Sequence, residues 1–167
     1  MNVILLNGPM GIGKTTIGTY IADKFNGTAF IDGDWCMDLH PFVGNDETKE
    51  MAIDNIIHMI RNYKECSYCN MVVVAWLMDD EWVKKKLIDR INKIDCDAKN
   101  ITLVSSEIQL RMQWMNDKNC PWRTEEWQDI SIKSLDKFSK MKEAIDITNL
   151  SIKEVANLVI KKCQLDN

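Results

Sequence analysis

Positive charge is the first thing this chain is short of. Its 21 lysines and arginines are outnumbered by 25 acidic residues, for a formal net charge of −4, so there is no overall cationic field to hold a nucleic-acid backbone. A nucleic-acid partner is not expected. Long apolar runs are missing as well. The first, residues 3–6, has no cationic stretch before it and is far shorter than a secretory h-region or a membrane span. A cytoplasmic setting away from membranes is the expectation. Cysteine is present but not patterned: six residues lie scattered among periodic core-forming segments, and they read as reduced thiols. Cys66 and Cys69 make one C-x-x-C. No second such pair and no H-x-x-x-H follows, and a structural zinc site needs about four ligands, so the pair reads as packing or surface thiols. No repeat, low-complexity tract or linker divides the 167 residues, which suffice for one core and not for two ordinary domains. A single domain, acting as monomer or homodimer, is expected.

What is present alternates strand with helix. Asn2–Asn7 (NVILLN) is a short apolar run, as a strand buried on both faces requires. Residues 14–25 then carry Ile17, Tyr20, Ile21, Ala22 and Phe25 at helical spacing, with Asn26-Gly27 as the stop. Thr28–Asp32 (TAFID) is a second strand, and Asp46-Glu47-Thr48 opens a helix bearing Met51, Ile53, Ile56, Ile57, Met59 and Ile60. Residues 70–77 (NMVVVAWL) predict a central strand. Asp79, Asp80 and Glu81 start the next helix, residues 101–104 and 144–148 are strands four and five, and Ser105-Ser106-Glu107 begins the helix after strand four. Ser151-Ile152-Lys153-Glu154 has the spacing of a capping box at the start of the last helix. This order predicts an α/β fold, a three-layer α/β/α sandwich with about five parallel strands and the first one central.

The chemistry concentrates in Gly8, Pro9, Met10, Gly11, Ile12, Gly13, Lys14 and Thr15, a full match to the P-loop pattern G-x-x-x-x-G-K-S/T set between a buried strand and a helix. A triphosphate needs many N–H donors converging on closely spaced oxygens. Glycines let the backbone curl around it, and the helix N-terminus adds partial positive charge. Lys14 would reach the β- and γ-phosphates, Thr15 would offer its hydroxyl to magnesium, and Thr16 would meet the α-phosphate.

On these segments, on Ile31-Asp32-Gly33-Asp34-Trp35, on the arginine-bearing stretch from Gln109 to Arg123 and on the IDITNLSIKEVANLVI run near the C-terminus, the chain resembles the P-loop kinases of small metabolites and nucleotides. Shikimate, gluconate and adenylate kinases are examples. The resemblance spans nearly the whole length and implies a P-loop NTPase fold with a small lid over roughly residues 114–128, ATP and Mg2+ as cofactors, and a small-molecule phosphate acceptor. It implies that Asp32 faces the metal and that Asp34 orients or deprotonates the acceptor. A turn with Asp34 as a cap is the plainer alternative. Arg123, and Arg111 on the nucleotide side, fall where lid and lid-flanking arginines lie in the family. Leu39-His40-Pro41 is similar to a run in gluconate kinases but is displaced by Trp35-Cys36-Met37-Asp38, so His40 is either a substrate contact or a turn residue. Arg61 is read as a last-turn arginine favoured by the helix dipole. Trp35, Trp76, Trp114, Trp122 and Trp127 could wall a ring-bearing acceptor, though core packing is their expected fate. Strand three lacks a clear Walker-B aspartate, with Asp79 and Asp80 reading as a helix start. Two rivals stay open: a nucleotide-dependent switch, despite the missing N-K-x-D pattern, and an antibiotic- or toxin-type phosphotransferase.

Overall fold

Residues 3–6 are apolar without a break because their strand is enclosed on every side. In the computed structural model, which describes residues 1–117 and 124–165, β1 (Asn2–Asn7) pairs in parallel with β3 (Met71–Ala75) on one edge and β4 (Asp97–Val104) on the other. β2 (Thr28–Asp32) and β5 (Ala144–Asp146) complete a parallel sheet in the order β2-β3-β1-β4-β5. Strand alternation then divides the core. Val3, Leu5, Val72 and Val74 point to one face, where α2 (Asp46–Glu65) and α3 (Glu81–Lys93) cover them with Ile53, Ile56, Ile60, Val83 and Leu87. Ile4, Leu6, Val73 and Leu103 point to the other, under α1 (Lys14–Lys24) and α6 (Ile152–Leu165) with Ile17, Ile21, Val155 and Val159. The three-layer α/β/α sandwich with β1 central is as expected.

Helix starts follow from their caps. Asn45 accepts from the Thr48 N–H at 2.9 Å while its own N–H donates to Thr48 Oγ1 at 3.1 Å, a reciprocal box that opens α2. Ser106 caps α4 (Glu107–Asn116) through the Gln109 N–H. The Ser151–Glu154 box is formed, with the Ser151 N–H donating to Glu154 at 2.8 Å and the Glu154 N–H returning to Ser151 Oγ at 3.3 Å.

Several boundaries differ from the sequence reading, each for a local reason. β4 starts at Asp97 and not at 101, because pairing with β1 carries the ladder back to Asn2 through polar Lys99 and Asn100. β3 stops at Ala75 and not at 77: the Trp76 N–H still donates to the Leu6 carbonyl at 3.1 Å, but two residues on a side chain takes the backbone, buried Asn7 donating to the Met78 carbonyl at 3.0 Å and accepting the Met78 N–H at 2.8 Å. β5 stops at Asp146 because its carboxylate accepts from both the N–H and the hydroxyl of Thr148, an Asx turn. One helix escaped the sequence reading altogether: α5 (Glu125–Ser139) follows the stretch read as irregular. The segment expected as a lid therefore spans the end of α4 and the start of α5, with residues 118–123 outside the described residues.

Asn7 thus ties the end of β1 to Met78, three residues past the end of β3. Replacing it with Ala leaves a buried N–H and a buried C=O without partners, each costing about 1–3 kcal/mol. Urea unfolding of Asn7→Ala is expected to show a midpoint lowered to match a loss of about 2–4 kcal/mol; an unchanged midpoint would show the clamp to be idle.

Candidate active site

The turn out of β1 is made by glycines in backbone conformations that side chains avoid. Gly8, Gly11 and Gly13 have φ of 138°, 77° and 98°. A Cβ at Gly8 would lie 2.4 Å from the Leu103 carbonyl oxygen, and one at Gly11 would lie 2.6 Å from the Trp114 ring. The loop is gripped from outside as well. Trp114, in the last turn of α4, lies against Gly11, and buried Ser131 of α5 donates its hydroxyl to the Met10 carbonyl at 2.6 Å. Ile12 is buried beneath the loop.

α1 begins at this loop, and its N-terminus is unlike those of the other five described α-helices. Each of those has a glutamate in its first turn, with Asp46 beside it in α2. α1 has no acidic residue there and no side-chain cap; Gly13 is its N-cap and Lys14 its first residue. Unsatisfied N–H groups, the positive end of the dipole and an ammonium therefore meet at one point, which is a site for an anion. The Lys14 ammonium donates to the Gly8 and Pro9 carbonyls at 2.8 and 3.0 Å, folded over the loop. Thr15 and Thr16 are exposed at its mouth.

Across the carboxyl edge of the sheet, Asp32 ends β2. The Thr15 hydroxyl donates to one of its carboxylate oxygens at 2.9 Å, and the Asp34 N–H donates to the other at 3.1 Å. Gly33 is fixed by its neighbour, since a Cβ there would stand 2.3 Å from the Trp76 side chain. Asp34 opens a 3-10 helix (Asp34–Met37) whose Cys36 and Met37 are buried and whose Cys36 carbonyl is held by Asn55 of α2 at 2.8 Å. Thus the loop, Lys14, Thr15, Asp32 and Asp34 converge on one edge.

No family model matches the sequence and no curated protein matches it. Its structure does match solved ones. A gluconokinase of Sinorhizobium meliloti superposes with a TM-score of 0.72 at 16% identity, over 98% of this chain and 91% of that one. The tunicamycin resistance protein of Deinococcus radiodurans gives 0.70 at 16% identity, over 96% and 94%. A shikimate kinase of Bacteroides thetaiotaomicron gives 0.65 at 18% identity, over 97% and 98%. The chain has the fold of the P-loop small-molecule kinases.

Other predicted site residues are distributed unevenly about this P-loop kinase fold. Arg111 of α4 donates to Glu107 at 2.9 Å and to Gln128 at 3.4 Å, with Asp129 at 3.7 Å, so it ties α4 to α5. Arg123 lies outside the described residues, as does Trp122. Arg61 sits near the end of α2, about 22 Å along the axis from its start, beside Arg90 and Lys93 of α3 and remote from the loop. His40 is exposed with Asp38 at 3.3 Å. Asp80 is the N-cap of α3 and pairs with Lys49. Cys66 and Cys69 lie in the turn after α2, and Cys69 Sγ approaches the Met71 carbonyl at 3.4 Å. Trp76 and Trp114 are buried, as expected of core residues, but Trp35 and Trp127 are exposed: core packing is wrong for both, because the 3-10 helix turns Cys36 and Met37 inward and leaves Trp35 outside, and Trp127 stands among the exposed residues of the first turn of α5. The sequence reading missed Ser131. A serine in an amphipathic helix carries no signal that a loop 121 residues away is its partner.

Burial, then the charges of Asp32 and Asp34, push the Cys36 thiol up to about 11. Cys36 should therefore stay a thiol at pH 8 and alkylate at least about 100-fold more slowly than exposed Cys66. Timed iodoacetamide labelling read by mass spectrometry checks this, and comparable rates would mean the acidic edge is not packed over Cys36 as described.

Proposed function

We propose that this chain is an ATP- and magnesium-dependent kinase, acting in the cytoplasm, that transfers the γ-phosphoryl group to a hydroxyl of a small molecule. The observation that carries the reading is the convergence at one sheet edge of an uncapped, acid-free helix N-terminus with Lys14 and a hydroxyl–carboxylate pair, Thr15 and Asp32. The likeness to kinases of known structure supports it through the fold.

The N–H groups of residues 8–15, with Gly8, Gly11 and Gly13 permitting the curl and Pro9, Met10 and Ile12 completing it, would hold the β-phosphate, and Thr16 the α-phosphate. Lys14 would exchange the Gly8 and Pro9 carbonyls for β- and γ-phosphate oxygens and neutralise charge as it develops. Thr15 and Asp32 present two hard oxygen donors 2.9 Å apart, the ligand type Mg2+ prefers; when bound, the ion supplies charge neutralisation between the phosphates. Asp34 would take the acceptor's hydroxyl proton while that oxygen bonds to the γ-phosphorus and the bond to the β–γ bridging oxygen breaks, releasing ADP. Arg123 is assigned to the transferring phosphoryl group and Arg111 to the nucleotide side, which has it leave Glu107 when nucleotide binds. The stretch about residues 114–128 would act as the lid.

An acceptor screen with magnesium ATP, covering sugar acids, shikimate, nucleosides, nucleoside monophosphates and antibiotics, tests the reading through acceptor-dependent ADP release. Absence of acceptor-dependent release across the panel would favour a nucleotide-binding switch. Lys14→Ala should abolish transfer with the fold intact, since Lys14 lies outside both core clusters; wild-type turnover would remove the P-loop from the mechanism. Asp34→Asn keeps the side chain's shape but loses the basic oxygen, so turnover should fall by about 10²–10⁴ with ATP affinity unchanged. Normal turnover, or joint loss of binding and transfer, would take Asp34 off the acceptor side.

A further inference from the structure

The buried residues of α5 are Ser131 and Phe138. A phenylalanine inside needs no explanation. A hydroxyl at 1% exposure does, since an apolar residue would fill the position without the cost of desolvating a polar group. The other two serines of this helix turn their hydroxyls back on it: Ser134 donates to the Ser131 carbonyl at 2.6 Å and Ser139 to the Asp136 carbonyl at 3.0 Å. Ser131 instead reaches out of its helix, to the Met10 carbonyl at 2.6 Å.

That carbonyl belongs to the central peptide of a tight turn. The Ile12 N–H donates to the Pro9 carbonyl at 3.4 Å, Gly11 has φ of 77°, and Met10 is not at positive φ, the combination that makes residues 9–12 a type II turn. A type I turn joins the same four residues when the Met10–Gly11 peptide rotates, with ψ of Met10 changed by about 150° and φ of Gly11 by about 170°. Glycine at the third place permits both. The peptide is trans, so its C=O and its N–H point in opposite directions. Holding the Met10 carbonyl on α5 therefore turns the Gly11 N–H away from α5. Among the described residues no acceptor takes that N–H.

We propose that Ser131 is a positioning residue for the nucleotide: by holding the Met10 carbonyl it keeps the Gly11 N–H turned to the phosphates bound at the start of α1. This rests on the phosphotransfer reading above and deepens it. In the flipped turn the carbonyl oxygen takes the place of the N–H, so a donor to the phosphates becomes a partial negative charge set against them. Only the fraction of chains in the type II form is then ready for nucleotide, and the apparent affinity falls by that fraction.

Met10-Gly11 is the one Met-Gly pair in the sequence. Labelling methionine at its carbonyl carbon and glycine at its amide nitrogen therefore isolates the NMR signal of this one peptide in the full chain. In a type II turn the Gly11 amide proton lies against the Met10 Hα, and in a type I turn against the Met10 amide proton, so the NOE partner reports the orientation. The free wild-type chain should show the Hα contact. Free Ser131→Ala should gain the amide–amide contact, lose it when saturated with magnesium ADP, and bind magnesium ADP about fivefold more weakly, the net worth of one hydrogen bond. Ser134→Ala, which removes a hydroxyl bonded within α5, should match wild type in both readouts. A thermal melt checks that each variant is folded, and Ser131→Cys, similar in size but a weaker donor, replaces the alanine variant if that one melts below the assay temperature. The proposal is overturned if free Ser131→Ala keeps the wild-type contact, if it binds magnesium ADP as tightly as wild type, or if Ser134→Ala shares the weakening. A wild-type chain that binds magnesium ADP with its Gly11 amide in the flipped orientation loses only this inference, whereas one that binds no nucleotide loses the phosphotransfer reading beneath it.

Discussion

β1 is hydrogen-bonded on both edges and packed on both faces, so its carboxyl end has no freedom of position. The chain must leave it, reverse and enter α1 while keeping clear of the Leu103 carbonyl and the Trp114 ring, which is why glycines with positive φ stand at Gly8 and Gly11. The helix that results has no side-chain cap to consume its first N–H groups. An anion site is thus a by-product of burying the central strand, and Lys14 completes it. The outer grip by Ser131 and Trp114 joins the loop to α4 and α5.

Parallel pairing carries the remaining chemistry to the same place. Every strand of a parallel sheet ends at one edge, and ligands of such sheets bind there. Asp32 reaches Thr15 because β2 and β1 both pair with β3, in registers that place Asp32 and Leu6 opposite Ala75. At that edge Asn7 takes the Met78 backbone groups beyond β3, and Asp146 closes its own strand with a turn to Thr148. The edge is divided by charge. The loop side carries Lys14 and the helix N-terminus, and the segment after β2 carries carboxylates and exposed aromatics.

What could be read from the sequence alone was local. The P-loop pattern, the Asp32-Gly33-Asp34 spacing, the buried apolar runs and the Ser151–Glu154 box each depend on residues within about one turn or one strand of each other, and their physics is complete at that range. They were enough to specify a three-layer parallel α/β sandwich and to bring Lys14, Thr15 and Asp32 under suspicion together. Tertiary structure decided the rest, because the deciding partners are far apart in the chain. Trp114 becomes part of the glycine loop's wall only when α4 crosses Gly11. Ser131 finds Met10 across 121 residues, and Asn7 finds Met78 across 71. Trp35 carries the same aromatic side chain as Trp76, and no rule of composition separates the two. One is buried against Gly33 and the other faces solvent because the 3-10 helix can send only one side inward, and Cys36 and Met37 occupy it.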